Sequence, residues 1–188
     1  MHFKRFFKFK PNNNSLFIIF NDKKVLFDLE EKTFIFDEAY LNFKNYDLEI
    51  IGIAEDEGKN IYAVDVTSSN FNYKEQGYKS LIDYALRFIL TSLTNNEINL
   101  SGSANQLLHW IKSNKYCGYC GSAKKFNEEE QALFCDCNKI MIYPSISPCV
   151  LALIQNGNQI LLARNALFPE GLFSALAGFI EVSETAEE

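Results

Sequence analysis

The sequence predicts an α+β protein. A β-rich N-terminal domain with helices comes first, a small cysteine module follows, and the opening strands of another domain come last. Three observations predict this order: β-branched and aromatic runs fill residues 12–66, apolar residues then recur at helical spacing, and four of the five cysteines lie between positions 117 and 137. We therefore expect domains at 1–112, 113–147 and 148–188.

The composition is that of an ordinary globular protein. Of the 188 residues, 47% are hydrophobic and 22% are charged, which excludes disorder over most of the chain. A formal charge of −6 argues against non-specific electrostatic binding of nucleic-acid phosphates. No run reaches the ~18 apolar residues that a membrane-spanning helix needs, so no membrane partner is expected.

Strand patterns dominate the N-terminal domain. Its first ten residues alternate charge with Phe, which indicates a first strand rather than a secretory signal. Turn signals such as Asn-Asp and Glu-Gly separate the later runs. The predicted strands are 15–20, 23–27, 33–36, 48–54 and 60–66.

Two helices are predicted to complete this domain. Residues 78–93 carry apolar side chains at the spacing of one helix face. Residues 94–100 are polar and predict a loop, after which Ser103 is the expected N-cap of the second helix. The apolar positions are Leu81, Tyr84, Ala85 and Phe88 in the first helix, and Ala104, Leu107, Leu108 and Ile111 in the second.

The cysteine spacing predicts a structural zinc site in a zinc ribbon. Cys117 and Cys120 are two residues apart, as in many zinc turns, and Cys135 and Cys137 follow after a short excursion. The second pair has one intervening residue where two are usual. Three alternatives are open for the fourth ligand. Cys137 ligates through a changed turn, or Asp136 or water completes the coordination shell, or the module has lost its metal. Clustered thiols without a secretory signal indicate a reducing compartment, which predicts a cytoplasmic location.

The C-terminal segment predicts three strands and a glycine–glutamate motif. Apolar runs at 149–154 and 159–163 flank Gln-Asn-Gly-Asn, a hairpin signal, and Cys149 is expected in a core. A third run covers 172–177. Gly178 and Glu184 then stand in G-x5-E spacing, which is weak evidence alone because a glutamate at a helix start is favoured by the helix dipole.

Four segments in order resemble the NADH pyrophosphatases of the Nudix hydrolase superfamily. They are 116–121 (Tyr-Cys-Gly-Tyr-Cys-Gly), 142–144 (Ile-Tyr-Pro), 161–164 (Leu-Leu-Ala-Arg) and 176–185 (Leu-Ala-Gly-Phe-Ile-Glu-Val-Ser-Glu-Thr). The resemblance is specific from about residue 100 onward and weaker before it. It implies a zinc ribbon followed by the opening strands of a Nudix α/β/α sandwich.

The resemblance also implies a reaction, which is hydrolysis of the NAD(H) diphosphate to nicotinamide mononucleotide and AMP. Some members also remove NAD caps from RNA. The implied cofactors are structural Zn²⁺ and catalytic Mg²⁺ or Mn²⁺, and the implied assembly is a homodimer. Divalent ions would neutralise the diphosphate and activate water.

Gly178 and Glu184 match the start of the family's signature, G-x5-E-x7-R-E-x2-E-E. Its arginine would fall at position 192 and its metal-binding glutamates at 193, 196 and 197, beyond the last residue of this sequence. The family's S-Q-P-W-P-F-P-x-S motif, which marks preference for NAD(H), is absent as well. We therefore expect the 188-residue chain alone to have no appreciable diphosphatase activity.

Five further positions receive roles from the resemblance. The Ala177 carbonyl corresponds to a backbone metal ligand, and Phe179 to the aromatic that stacks on nicotinamide. Glu130 and Tyr143 match substrate-contacting positions, and Lys79 stands where the family has a substrate-contacting arginine. Each also has a plain structural interpretation: core packing for Phe179, a solvated acidic run for Glu130, ribbon packing for Tyr143 and a surface position for Lys79.

Two other functions compete with the enzyme. One is a non-catalytic zinc-ribbon module for binding or dimerisation that carries a Nudix remnant. The other is a nucleic-acid-binding ribbon, which the acidic charge disfavours. A local basic cluster favours it, formed by Lys112, Lys115, Lys124 and Lys125.

Overall fold

The first of two compact units contains a sheet, a helix and a small ribbon. The computed structural model describes residues 14–37, 48–73 and 93–187, and the backbone of 7–8 and 81–85. The chain divides into Met1–Pro144 and Ser145–Glu188. Strands and one α-helix within the described residues make the protein α+β, as predicted.

Within the described residues, the sheet of the first unit contains seven strands: β1 Phe7–Lys8, β2 Leu16–Asn21, β3 Lys24–Asp28, β4 Ile35–Asp37, β5 Glu49–Asp56, β6 Lys59–Asp65 and β7 Leu81–Ala85. Their order is β1-β5-β6-β2-β3-β7, with β4 also paired to β2. All pairs are antiparallel except β2 with β6. The five strands predicted between residues 12 and 66 are confirmed.

Strand β2 lies at the centre of the sheet and is buried on both faces. Ile18 and Phe20 belong to the apolar cluster that also holds the helix, whereas Phe17 and Ile19 belong to a second cluster. This alternation follows from the two-residue period of a strand. On the second face the rings of Phe17 and Tyr62 stack with centroids 5.8 Å apart. The apolar run of β2 is therefore explained by burial on two sides.

Helix α1 (Asn95–Ser113) starts earlier than the sequence pattern predicted. Thr94 is its N-cap: the Glu97 backbone N–H donates to Thr94 Oγ1 (3.4 Å), and the Thr94 N–H donates to Glu97 Oε2 (2.8 Å). The predicted loop over 94–100 and the predicted cap at Ser103 are therefore wrong. The Thr-x-x-Glu capping box is the signal that identifies the true start, and the polar residues after it occupy the first turns.

The predicted apolar face of α1 is confirmed. Leu100, Ala104 and Leu108 are buried against the sheet, and Leu107 and Ile111 pack partly buried beside them. Helical spacing predicted this face even though the helix start was misplaced, because burial follows the 3.6-residue period rather than the cap.

The helix predicted over 78–93 is wrong in its described part. Leu81–Ala85 forms strand β7, which pairs antiparallel with β3 from Lys24↔Ala85 to Asp28↔Leu81. Pairing gives hydrogen-bond partners to the edge of β3 that β2 leaves open. Periodicity over so short an apolar run does not distinguish a strand from a helix. Residues 78–80 and 86–92, including Lys79 and Phe88, lie outside the described residues.

The ribbon follows α1 within the same unit. Its strands β8 (Lys125–Asn127), β9 (Ala132–Phe134) and β10 (Met141–Ile142) pair antiparallel in the order β10-β9-β8. Leu133 of β9 is buried in the same apolar cluster as Trp110 and Leu108 of α1. The ribbon is thus anchored to the helix by apolar packing.

The second unit contains two two-stranded sheets. Strand β11 (Cys149–Ala152) pairs antiparallel with β14 (Leu176–Phe179), and β12 (Gln155–Asn156) pairs with β13 (Gln159–Ile160). The predicted hairpin is confirmed, with Gly157 at φ +59° in its turn. Cys149, expected in a core, is exposed, because the described residues of this unit do not cover β11.

The described helix is too polar to span a bilayer.

Replacing Thr94 by Ala is expected to lower the free energy of unfolding by about 1 kcal/mol, since it removes the hydroxyl that accepts from the Glu97 N–H and leaves only the backbone half of the capping box. Ser103→Ala is the matched control, because Ser103 lies inside the helix where Ala has the better propensity. Urea denaturation followed by circular dichroism measures both. A larger loss for Ser103→Ala would contradict this assignment of the helix start.

Candidate metal centre

The first cysteine turn is closed by its own backbone. The Gly121 N–H donates to the Cys117 carbonyl (2.9 Å), and the Cys117 N–H donates to the Ser122 carbonyl (2.9 Å). Gly121 has φ +72°, a conformation that glycine adopts without strain. The Tyr119 N–H donates to Cys117 Sγ at 3.4 Å. This turn points a backbone donor at sulfur, which favours the thiolate form that metals bind.

The second turn explains the unusual one-residue spacing. The Lys139 N–H donates to the Cys135 carbonyl (2.9 Å), which closes a turn over residues 135–139. Asn138, which occupies the usual position of the fourth cysteine, instead accepts a hydrogen bond from the Ile140 N–H at 3.2 Å. The turn therefore places Cys137 toward the first pair, and Asn138 helps to hold the turn.

The four sulfur atoms of Cys117, Cys120, Cys135 and Cys137 all lie within 4.8 Å of one another. Cys117 Sγ is 3.6 Å from Cys137 Sγ, and Cys120 Sγ is 3.4 Å from Cys135 Sγ. Zinc–sulfur bonds of about 2.3 Å in a tetrahedron place the sulfurs about 3.8 Å apart. The spacing of the thiols therefore fits one tetrahedral metal ion, with Cys137 as the fourth ligand.

Asp136 is engaged elsewhere, although it stood as an alternative fourth ligand. Its carboxylate forms ion pairs with Lys125 and with Lys139, the latter at 2.8 Å. Hydrogen bonds from Lys125 first, and then from Lys139, lower the pKa of the Asp136 carboxyl to about 2. These lysines lie on β8 and in the second turn, so the pairs tie the two together. Sequence reasoning missed the Lys125 pair, because the β8–β9 pairing that brings Lys125 near Asp136 is not visible in cysteine spacing.

The thiols do not ionise equally. Hydrogen bonds from Ser122, first from its side chain and then from its backbone, lower the pKa of Cys120 to about 6. The Cys117 pKa is lowered, chiefly by the Cys120 backbone N–H. In contrast, the sulfurs of Cys135 and Cys120 raise the pKa of Cys137 to about 12. A fourth thiolate beside the others is thus unfavourable until a cation compensates its charge.

Two of the predicted substrate-contact residues lie together on the ribbon. The Tyr143 hydroxyl donates to Glu130 Oε2 at 2.9 Å, although the residues are 13 positions apart. Tyr143 is 50% exposed, which disfavours a role in packing alone. The Glu130 N–H donates to Asn127 Oδ1 (2.8 Å), so the end of β8 positions this glutamate. Both side chains remain accessible at the ribbon surface.

The remaining predicted residues, apart from Lys79, lie in the second unit. Ala177, Gly178 and Phe179 are consecutive in β14, and Phe179 is 71% exposed, so within the described residues it does not pack in a core. A Cβ atom built on Gly178 meets nothing within 4 Å. Glu184 Oε2 accepts from the Glu181 N–H (2.9 Å) and forms a local turn. Lys79 lies outside the described residues.

The basic cluster of the ribbon is largely engaged in internal contacts. Lys112 Nζ lies 3.6 Å from Asp65 Oδ2, and Lys124 Nζ donates to the Asn114 carbonyl at 3.1 Å. Lys125 pairs with Asp136. Lys112 and Lys125 are therefore already paired with carboxylates, which weakens their attraction for phosphates.

The fold and the site together define an α+β protein with a four-cysteine ribbon of metal-binding type. No family model matches the chain. Curated relatives do match. The chain is 42% identical over 87 residues to an NAD-capped RNA hydrolase of Pseudomonas syringae pv. syringae, a match covering 46% of this chain and 31% of the relative.

Two further relatives extend this comparison. An NAD-capped RNA hydrolase of Pseudomonas fluorescens is 30% identical over 167 residues, which is 82% of this chain and 57% of the relative. A mitochondrial NAD(P)H pyrophosphatase of Homo sapiens is 36% identical over 103 residues, which is 55% of this chain and 29% of the relative. The chain thus spans between 29% and 57% of these three relatives. These similarities support the resemblance of the chain to the NADH pyrophosphatases of the Nudix hydrolase superfamily.

Adding Zn²⁺ to the reduced, metal-free chain at pH 7.5 is expected to release protons. Cys137, with a pKa of about 12, is protonated there and must lose its proton to bind. For the same reason the apparent affinity should rise with pH across the neutral range, where Cys137 remains protonated in the metal-free chain. Calorimetric titration in buffers of different ionisation enthalpy counts the protons.

Cys137→Ser should release fewer protons and bind Zn²⁺ more weakly, by at least tenfold. Cys149→Ser should behave like the unaltered chain, because Cys149 is an exposed thiol outside the cluster. Equal affinities for Cys137→Ser and the unaltered chain would show that Cys137 is not a ligand.

Proposed function

We propose that the cysteine ribbon binds one structural Zn²⁺ ion through Cys117, Cys120, Cys135 and Cys137. Four thiols within 4.8 Å of one another support this, because a full set of soft ligands suits zinc and leaves no open position for catalysis. The ion would compensate the charge of the thiolates and hold the two turns together. The free thiols further support a reducing, cytoplasmic environment.

We propose that the whole protein hydrolyses the diphosphate of NAD(H) to nicotinamide mononucleotide and AMP, and that it also acts on NAD-capped RNA. The observation that carries this is the 30–42% identity to NAD-capped RNA hydrolases and an NAD(P)H pyrophosphatase. These names share one chemical feature, the pyrophosphate linkage of a nicotinamide dinucleotide. The proposed organisation is an N-terminal domain (1–112), a zinc ribbon (113–147) and the start of a Nudix sandwich (148–188), within a homodimer.

The residues of this chain would mainly bind and orient the dinucleotide. Phe179, exposed on β14, offers a face on which the nicotinamide ring stacks, and the Ala177 carbonyl on the same strand offers an oxygen ligand to Mg²⁺ or Mn²⁺. When bound, that ion neutralises the diphosphate and activates water. Gly178 and Glu184 begin the Nudix signature. Lys79 is retained as a proposed substrate contact on sequence alone.

Glu130 and Tyr143 would act as a pair on the ribbon. Their 2.9 Å hydrogen bond holds the Tyr143 ring in one orientation and leaves the second Glu130 oxygen able to accept from a ribose or nicotinamide donor. This pairing supports a contribution of the ribbon to substrate binding as well as to stability.

A second candidate is a non-catalytic ribbon that serves binding or dimerisation. The exposed rings of Tyr116 and Tyr119 beside the first cysteine turn favour it, since exposed aromatics are enriched at interfaces. In this case the ribbon would assemble and bind zinc, but the whole protein would not cleave dinucleotides.

The decisive experiment is an NADH hydrolysis assay of the whole protein with Mg²⁺ or Mn²⁺. We expect release of AMP and reduced nicotinamide mononucleotide, measured by chromatography. The 188-residue polypeptide assayed alone should release neither, because positions 193, 196 and 197 of the signature are not part of it. Absence of cleavage by the whole, zinc-loaded protein would reject the enzyme and favour the binding module.

Glu130→Gln in the whole protein should raise the KM for NADH about tenfold, because a charged hydrogen-bond acceptor for substrate is lost. Tyr143→Phe should have a similar effect, and the double variant should add little to either. Glu129→Gln is the matched control, since Glu129 is the exposed neighbour in the same acidic run. A KM change as large in the Glu129 variant would show that only general charge matters.

A further inference from the structure

Two close sulfur–sulfur contacts within the cluster each join one exposed cysteine to one buried cysteine. Exposed Cys120 lies with its sulfur 3.4 Å from that of buried Cys135. Exposed Cys137 lies with its sulfur 3.6 Å from that of buried Cys117. Both contacts join the first turn to the second turn. In such a pair the exposed thiol can form a mixed disulfide with a reagent. The buried thiol can then attack that mixed disulfide and release the reagent's thiol.

We propose that this cluster is a redox-sensitive site, in which a small-molecule disulfide such as oxidised glutathione converts the thiols into the disulfides Cys120–Cys135 and Cys117–Cys137 and releases the metal. The pairing follows from the contacts between the two turns. The release of the metal rests on the proposed zinc site, whereas the pairing does not.

The chemistry balances with glutathione disulfide as the oxidant. The Cys120 thiolate attacks one glutathione sulfur, so that the glutathione S–S bond breaks and one glutathione thiolate leaves. The Cys135 thiolate then attacks the Cys120 sulfur, forms the Cys120–Cys135 bond and releases the second glutathione thiolate. Two electrons pass from the protein to glutathione. Cys137 and Cys117 react in the same way with a second molecule of oxidant, which removes the last thiolate ligands of the metal.

The two disulfides would replace the metal as a link between the turns. Cys120–Cys135 and Cys117–Cys137 each cross from the segment before β8 to the segment after β9. Such links restrict the unfolded chain more than a bond within one turn, because they close longer loops. The oxidised ribbon is therefore expected to keep its strands while it loses its ion, and reduction restores the metal-binding thiols.

The test is a disulfide map of the zinc-loaded chain after incubation with glutathione disulfide. Trypsin leaves Cys117 and Cys120 together in one peptide and Cys135 and Cys137 together in another. Two further cleavages are therefore needed to separate the members of each turn. Chymotrypsin cuts after Tyr119, between Cys117 and Cys120, and an endoproteinase that cuts before aspartate separates Cys135 from Cys137 at Asp136. Mass spectrometry without reduction then identifies each bond, and a chromogenic chelator follows zinc release.

We expect only the Cys120–Cys135 and Cys117–Cys137 bonds, one zinc ion released per chain, and rebinding after reduction. Bonds within a turn (Cys117–Cys120), crossed bonds (Cys117–Cys135), or a cluster that stays reduced while Cys149 is already glutathionylated would each overturn the proposal. Zinc content of the reduced chain is measured first. A chain without zinc that still forms the two cross-turn bonds would reject the zinc site and retain the pairing.

Cys135→Ser is the diagnostic variant, because it removes the thiol that displaces glutathione from Cys120. It should accumulate glutathione on Cys120, whereas Cys149→Ser should form both disulfides and release zinc as the unaltered chain does. The map of the unaltered chain decides the pairing even if Cys135→Ser does not fold.

Discussion

The ribbon depends on four sulfur atoms being held together despite their mutual repulsion. Its strands have only three, three and two residues, and few of its side chains are buried. So small a module cannot be stabilised by apolar burial alone. The two turns are preorganised by backbone hydrogen bonds, and these bring the thiols to spacings that suit a tetrahedral cation.

Helix α1 connects this cluster to the sheet. Its apolar face packs on the same cluster of residues that includes Ile18 of β2 and Leu133 of the ribbon. The helix ends at Ser113, four residues before the first cysteine. The Asn114 side chain donates to the Trp110 carbonyl (2.9 Å), and the Asn114 carbonyl accepts from Lys124 Nζ (3.1 Å). The helix end and the start of the ribbon therefore share one hydrogen-bonded corner.

Sequence patterns predicted the elements whose burial is strongly periodic. The five strands between residues 12 and 66, the apolar face of α1 and the hairpin at Gly157 are all present. The pattern around Leu81–Ala85 predicted a helix, because four apolar positions have helical spacing. The segment is instead a strand, because it forms hydrogen bonds with the open edge of β3. The early start of α1 was missed because its polar first turns resemble a loop.

The clustering of the four cysteines was predictable from the sequence, whereas its geometry was less so. Spacing identified the four cysteines, but whether Cys137 points at the others depends on the turn closed by Lys139 and Asn138. The role of Asp136 depends on pairing between β8 and β9, which brings Lys125 near. The hydrogen bond between Tyr143 and Glu130 likewise arises from contacts between residues far apart in the sequence. Local sequence signals do not contain such information.

The position of Leu133 has a thermodynamic consequence. Since this ribbon residue is buried among residues of the helix and the sheet, the ribbon does not come apart without exposing apolar surface that belongs to the whole first unit. Anything that binds the folded ribbon then stabilises the sheet by mass action. Each tenfold increase of free metal above its dissociation constant adds about 1.4 kcal/mol to the unfolding free energy. With the proposed zinc bound, the supply of metal would thereby raise the stability of the whole first unit, including the sheet.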